Sequence, residues 1–372
     1  MPTQCGCLAP TRELALAAPR GDITLRHCTE CGHIWNSSFD PALVGFDASY
    51  DLSQFYSPSY RRYAASSIDR LMRRYELRSR TALEIACGKG DFLQMMLDAG
   101  VGRVIGFDPT YPDDGGAAGD GGRVSIRREM YGRVHSDLHP DIVVCRGCLQ
   151  YIPEPRTFMA NVRETVGDAP DALVYFETSN SALAFRDKVI WYVMYEAGCF
   201  FSAPSLARLF RETGFEVLDM IPVLEGAHFE VESRPSRVPS RHVLESREAV
   251  AAIGRDIEDF PPLYAASTDS WNGRFARYRR ERKRVALWAA GMRAISLLGN
   301  CPEAAAGVEV VADVNVRRQG RFLPVTGQPV VSPDALAVYH PDVIVCTNPT
   351  YALEISSQVA ALGLACEFVV LK

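Results

Sequence analysis

Two short runs of this chain carry residues whose type and spacing could hold a nucleoside. From Ala82 the sequence reads Ala-Leu-Glu-Ile-Ala-Cys-Gly-Lys-Gly-Asp-Phe-Leu. This apolar run ends in Glu84-x-Ala86-x-Gly88-x-Gly90 and passes directly into a helical pattern. A second apolar run ends at Asp108, eighteen residues after Gly90. Glycines at a strand-to-helix turn let the backbone approach a ligand closely, because no Cβ intervenes. A carboxylate at the tip of the next strand can accept hydrogen bonds from both ribose hydroxyls. A dinucleotide fingerprint would need a third glycine three residues on, for a pyrophosphate at the helix N-terminus. Leu93 stands there instead, and Glu84 adds an acidic group before the turn. The combination suits a cationic adenosyl ligand better than a pyrophosphate.

A second constellation lies near the amino terminus: Cys5-Gly-Cys7, then Cys28-Thr-Glu-Cys31-Gly-His33. Two cysteine pairs at this separation meet the spacing of a four-thiolate zinc site, in which two knuckles close a tetrahedron. Cys28 and Cys31 form the usual C-x-x-C-G knuckle. Cys5 and Cys7 are one residue short of it, so His27 or His33 is an alternative ligand. Four protein ligands leave no open position, which makes the expected Zn2+ structural. A segment with so few large apolar residues is expected to need that metal to stay folded.

These groups must be positioned by elements legible in the pattern. Residues 1–45 form the cysteine-bearing flap. Residues 46–235 alternate strand-like runs, ending at Glu84, Asp108, Cys145 and Glu177, with helical patterns around 63–77, 90–99 and 155–166. Such alternation predicts a parallel, doubly wound α/β sheet. Ligands of these sheets sit outside the carboxyl ends of the strands, which gathers Gly88, Asp108, Arg146 to Tyr151 and Glu177 around one crevice. Residues 236–284 read as a polar linker and a long helix. Residues 285–372 form a smaller α/β unit, with runs Val285–Gly291, Val308–Asp313 and Asp342–Cys346. Its Gly291 turn and Asp313 tip echo the first crevice, and a substrate-holding role and a purely structural one are equally open.

Composition limits the partners. A formal charge of −5 and a pI near 5.9 argue against nucleic acid and anionic membranes. The basic run from Arg274 to Arg284 reads as a solvated helix face, because it leads straight into a strand. No apolar stretch reaches membrane-spanning length, since Lys188 and Glu196 interrupt the longest. No signal peptide is visible, and eleven cysteines without one point to a reducing, cytoplasmic setting.

The nucleoside motifs resemble motifs I and II of class I S-adenosylmethionine methyltransferases. The order of zinc knuckles, core and carboxyl-terminal unit resembles, over almost the whole chain, the zinc-containing sugar C-methyltransferases of antibiotic pathways. Members of that family methylate C-3 of nucleotide-linked 4-keto-deoxysugars. Tyr50-Asp-x-Ser-Gln54-x-x-Ser57-Pro is similar to the family's cofactor-covering segment. Asp313-Val-Asn-x-Arg-Arg-Gln-Gly-Arg-Phe-Leu-Pro324 and Pro341-Asp-Val-Ile-Val-Cys-Thr-Asn348-Pro are similar to its carboxyl-terminal signatures. The resemblance implies a class I, Rossmann-like methyltransferase core with S-adenosyl-L-methionine as cofactor. It adds Tyr56, Ala86, Phe92, Pro109, Met130 and Arg146 to Glu84, Gly88, Gly90 and Asp108 as cofactor contacts. The implied substrate is a small molecule, a nucleotide-linked sugar by resemblance alone, bound between core and carboxyl-terminal unit.

The departures fall where the chemistry should be. The family usually reads Tyr-His-Glu-His, or that run without its first histidine, where this chain has Met194-Tyr195-Glu196-Ala197. Relatives commonly carry His-x-Leu-Glu-His where this chain has Gly147-Cys-Leu-Gln-Tyr151. Carbon methylation beside a ketone needs a positioned base, worth roughly 10²–10⁴-fold, with a pKa near working pH. The remaining candidates are Glu196, Tyr195 and His228, with Tyr192 and Tyr151 behind them. Packing explains the tyrosines as readily, and His228 is as readily a satisfied strand residue. An amine acceptor asks less, since its lone pair is already available. Methyl transfer to carbon or a heteroatom is therefore the leading reading. The alternative is a cofactor-binding homologue that transfers no methyl group, either assisting a partner enzyme or using the cofactor for another reaction.

Overall fold

In the computed structural model, which describes residues 1–112 and 121–372, the strand patterns assemble into three sheets. Two short strands, β1 (Leu25–His27) and β2 (Ile34–Asn36), form an antiparallel hairpin. The central sheet takes β3 (Thr81–Ile85), β4 (Arg103–Phe107), β5 (Val124–Arg127), β6 (Ile142–Arg146) and β7 (Leu173–Ser179). The two-residue β8 (Cys199–Phe200) pairs with β2. The chain then returns to the central sheet as β9 (Phe215–Val223) and β10 (His228–Pro235). The order is β5-β4-β3-β6-β7-β10-β9.

Strands β3 to β7 are parallel, as buried apolar runs covered by helices on both faces require. β10 is antiparallel to both β7 and β9, which corrects the expectation of a wholly parallel sheet. The reason is local. The 224–227 turn, with Gly226 at φ +84°, is too short for the crossover that a parallel neighbour needs. The strand order reverses at β3, between β4 and β6, so the crevice opens at the carboxyl ends of these three strands.

The helix Pro58–Tyr75 lies against this sheet. Ser57 caps the amide of Tyr60, and Pro58 occupies the first turn. Its buried residues, Tyr60, Ala64, Ser67, Ile68 and Leu71, share one face. Arg70 anchors it by pairing with the fully buried carboxylates of Glu230 and Glu232 on β10. That anchor fixes Tyr60 at the rim of the crevice.

The carboxyl-terminal unit is a second sheet of β11 (Val285–Trp288), β12 (Val308–Ala312), β13 (Val330–Val331), β14 (Val343–Cys346) and β15 (Glu367–Val370). All are parallel, in the order β13-β12-β11-β14-β15. Its inner face shares one apolar core with the amino-terminal segment and the 184–200 stretch, through Cys5, Leu8, Ile34, Trp191, Phe200, Leu287 and Val345. The first 45 residues are thus held by packing rather than as an isolated flap. No helix among the described residues is long and apolar enough to cross a membrane.

Candidate active site

The turn after β3 holds three residues with positive φ, Ala86 (+56°), Gly88 (+57°) and Gly90 (+84°). Nothing stands within 4 Å of where a Cβ on Gly88 would lie, so the backbone there lines open space. Asp108, at the tip of β4, joins the two strand ends. Its Oδ2 accepts from the Gly88 amide at 2.7 Å, and its Oδ1 accepts from the Thr110 amide at 2.7 Å. Each carboxylate oxygen keeps a further lone pair, which is what a ribose diol would use.

Glu84 lies beneath this turn. Its carboxyl is buried, and Oε2 has no hydrogen-bond partner. Burial pushes its pKa up to about 8, Arg146 pulling it back only in part. A buried, unpartnered carboxylate is costly unless a cation or donor arrives. The open glycine turn, the diol-ready carboxylate and this orphaned acid fit S-adenosylmethionine, a nucleoside with a cationic tail. Phe92 is buried under the crevice, while Tyr56 and Pro109 are half-buried. Met130 is 61% exposed.

Arg146 ends β6, with its side chain almost wholly buried. The guanidinium lies 4.0 Å from the centre of the Phe92 ring, with Phe55 and Tyr60 on its other sides. Its Nε and Nη2 both donate to Oε2 of Glu177, at 3.1 and 2.8 Å. Nη2 also donates to the Tyr60 hydroxyl at 2.7 Å. The other oxygen of Glu177, Oε1, lies 2.7 Å from Nδ1 of His228. Burial alone would raise the Glu177 pKa, but Arg146 and His228 outweigh it and bring it down to about 2.

The sequence-predicted acid–base residues do not converge. Glu196 is fully buried, and its Oε2 accepts from the backbone amide of Cys5 at 2.7 Å. Oε1 has no partner, and burial raises the pKa. The Tyr195 side chain serves another place. Its hydroxyl accepts from the Asp40 amide at 2.8 Å, and its ring packs on Phe39 and against Gly21. Among the described residues no hydrogen bond or ion pair joins either residue to His228. Of the three candidates, His228 is hydrogen-bonded to Glu177 at the strand tips, whereas Glu196 and Tyr195 are engaged by the Cys5 and Asp40 amides.

The expected zinc site is also corrected. Among the described residues no three His, Cys, Asp or Glu side chains converge. Cys5 is drawn to Glu196 through its amide and to Arg318, which donates to its carbonyl at 3.2 Å. Cys7 pairs with Tyr50 through a backbone bridge. Cys28 and Cys31 lie apart from them, beside Glu30 and Arg208. His33 stacks on Trp35 and packs at a tilt against Phe201, and burial pushes its pKa down to about 4. The residues present do not fit a tetrahedral four-ligand ion.

The carboxyl-terminal unit meets the core along an aromatic seam. Tyr351 donates to Gln54 Oε1 at 2.8 Å and lies within electrostatic reach of Tyr60, Glu177 and Arg293. Arg293 donates to Asn348 Oδ1 at 2.7 Å, and its guanidinium lies 4.2 Å from the centre of the Tyr192 ring. Tyr151 reaches across to Met292 Sδ at 3.5 Å. The echo of the first crevice is close in its hydrogen bonds. Asp313 accepts from Ala290 at 2.7 Å and from Asn315 at 2.8 Å, just as Asp108 accepts from Gly88 and Thr110. Buried Arg318 fills the neighbourhood, donating to the carbonyls of Asp51, Cys5 and Ala290. Sequence reasoning missed Tyr60, Arg293 and Tyr351. Only the Gly291 turn hinted at Arg293.

Comparison with known proteins agrees with this arrangement. Residues 56–220 match a methyltransferase domain, and residues 256–371 match a C-methyltransferase C-terminal domain. The chain is 24% identical over 286 residues to the C-methyltransferase NovU of Streptomyces niveus, covering 73% of this chain and 67% of that protein. Two solved structures are similar over about half of the chain. One is an S-adenosylmethionine dependent methyltransferase from Mesorhizobium loti, at 13% identity, 48% and 99% coverage and a TM-score of 0.37. The other is 1,6-didemethyltoxoflavin-N1-methyltransferase from Burkholderia thailandensis, at 18% identity, 46% and 78% coverage and a TM-score of 0.35. Two segments of the chain thus match methyltransferase domains, and the crevice at the tips of β3, β4 and β6 suits the adenosyl cofactor: this is an S-adenosylmethionine-dependent methyltransferase with a class I, Rossmann-like core.

Proposed function

We propose that this enzyme methylates a small, sugar-like intermediate of secondary metabolism, held in the seam between core and carboxyl-terminal unit. When bound, S-adenosylmethionine supplies an electrophilic methyl group on a sulfonium. The chain's own residues bind, orient and exclude water. Asp108 and the Gly88 turn would take the nucleoside, and Glu84 the cationic tail. Tyr60, Tyr151, Tyr192 and Tyr351 offer hydroxyls and ring faces to a polyhydroxylated acceptor, a mixture that suits a sugar ring. The observation that carries the reading is Tyr351. This residue of the carboxyl-terminal unit hydrogen-bonds the covering segment at Gln54 and sits within electrostatic reach of Glu177 in the core.

A nucleotide-linked 4-keto-deoxysugar is the first acceptor to test, because the sequence resembles sugar C-methyltransferases, residues 256–371 match a C-methyltransferase C-terminal domain, and the similar NovU is named a C-methyltransferase. The test fills the seam without touching the cofactor crevice. Met292→Trp should leave S-adenosylhomocysteine affinity unchanged by calorimetry. It should also abolish the saturation-transfer NMR signal of the added nucleotide-linked sugar. Retained sugar binding in that variant would move the acceptor site elsewhere. Absence of sugar binding by the wild type, with amines or phenols binding instead, would replace the substrate class.

A further inference from the structure

The network at the end of β7 uses each oxygen of Glu177 for a different purpose. Both Arg146 donors converge on Oε2, which leaves Oε1 wholly to His228 at 2.7 Å. Arg146 is itself immobilised by three aromatic rings and the Tyr60 hydroxyl. The Glu177 side chain is 1% exposed and that of Arg146 is 6% exposed, so the pair is a buried ion pair with little freedom to rearrange.

An ionised carboxylate can only accept hydrogen bonds. Facing ionised Glu177, Nδ1 of His228 must therefore carry the hydrogen. In the neutral ring the lone pair then falls on Nε2, which has no partner among the described residues. The ring is 14% exposed, so part of it remains open while Nδ1 is held by Glu177. Among the described residues Arg146, Glu84, Tyr60, Tyr63, Tyr175 and Tyr351 are the other charged or titratable groups around Glu177. Further along the same face of β10, Glu230 is neutralised by Arg70. Among the described residues Arg146 is the permanent positive charge at Glu177, and His228 adds one only when its ring is protonated.

We propose that Arg146 and Glu177 are positioning residues that hold His228 with Nε2 free toward the crevice, making His228 the group that accepts the acceptor's proton. The inference rests on methyl transfer taking place at this crevice. In the step, Nε2 takes the proton from the acceptor's C–H, N–H or O–H bond. The electron pair of that bond forms the new bond to the methyl carbon, while the pair of the breaking S–C bond stays on sulfur. The imidazolium so formed lies against the Glu177 carboxylate, which stabilises it before the proton passes to solvent. This assigns to His228 the role that the family pattern would give to the residue replaced by Ala197, and it explains how Glu196 can be shut away without loss of a base.

The test has a readout that needs no acceptor. Long-range ¹H–¹⁵N NMR of histidine-labelled enzyme with S-adenosylhomocysteine, assigned against His228→Asn, reports the tautomer directly. The Nδ1–H form is expected in the wild type and in Arg146→Lys, and its loss is expected in Glu177→Gln. An Nε2–H tautomer in the wild type, or an unchanged spectrum in Glu177→Gln, overturns the positioning. Should Glu177→Gln fail to fold, His228→Asn keeps the Arg146–Glu177 pair whole. It should retain S-adenosylhomocysteine affinity and KM while losing about a hundredfold or more in kcat. A fully active His228→Asn overturns the base. If no acceptor is methylated by the wild type, the reading of the reaction fails, while the tautomer still decides the positioning.

Discussion

Replacing Asp108 by alanine tests the cofactor crevice at its joint. The carboxylate does two things at once. It accepts the amides of Gly88 and Thr110, each at 2.7 Å, and it presents the remaining lone pairs where a ribose diol would bind. Loss of two charge-assisted bonds to the diol, at about 1.5 kcal/mol each, totals about 3 kcal/mol, or about a hundredfold in affinity. Two amide donors are also left unpaired beside the turn, at about 1–3 kcal/mol each where they stay dry. Asp108→Ala should therefore bind S-adenosylhomocysteine at least about tenfold more weakly by calorimetry, and melt at a lower temperature. Asp108→Asn keeps one acceptor oxygen and should fall between the two. An Asp108→Ala protein that binds within about twofold of wild type would refute the assignment of Asp108 to the ribose.

Three further outcomes follow from the same geometry. The folded-state pKa of Glu84, about 8, lies above the ordinary 4.5, so the folded chain holds a proton that the unfolded chain has released. Stability of the cofactor-free enzyme should then fall as pH rises from about 4.5 to about 8, and Glu84→Gln should flatten that slope in thermal melts. Glu196→Gln should lower the melting temperature through the weakened bond to the Cys5 amide, and steady-state assay should show turnover changed by less than about tenfold. Metal analysis of protein purified without chelator should find well under one zinc per chain, and Cys5→Ser should leave the metal content unchanged.

What could be read from the sequence was what lies close together along it. The turn from Glu84 to Gly90 and the tip at Asp108 belong to adjacent strands, and glycine spacing with a terminal carboxylate states their geometry directly. The helix predicted over 155–166 is the helix observed, because its apolar period is unbroken and Pro155 opens it. Contacts made at long range were not legible. His228 meets Glu177 across 51 residues, by way of an antiparallel return strand that an alternating α/β pattern does not announce. Cys5 meets Glu196 across 191 residues, a contact that neither motif announces. Tyr195 and Glu196 are neighbours in sequence, yet one side chain supports the Asp40 amide and the other the Cys5 amide. Motif matching treats such neighbours as one cluster, whereas backbone direction separates them.

The central claim is methyl transfer from S-adenosylmethionine to a small acceptor. It is tested most directly by incubating the full-length enzyme with cofactor carrying a deuterated methyl group and with nucleotide-linked 4-keto-deoxysugars, amines or phenols. Mass spectrometry then compares S-adenosylhomocysteine released with label gained by the acceptor. The account predicts equal amounts of the two, with neither formed above background by Asp108→Ala at cofactor concentrations well below its weakened affinity. Tight cofactor binding with no labelled acceptor, or an acceptor converted without gaining the label, would contradict it.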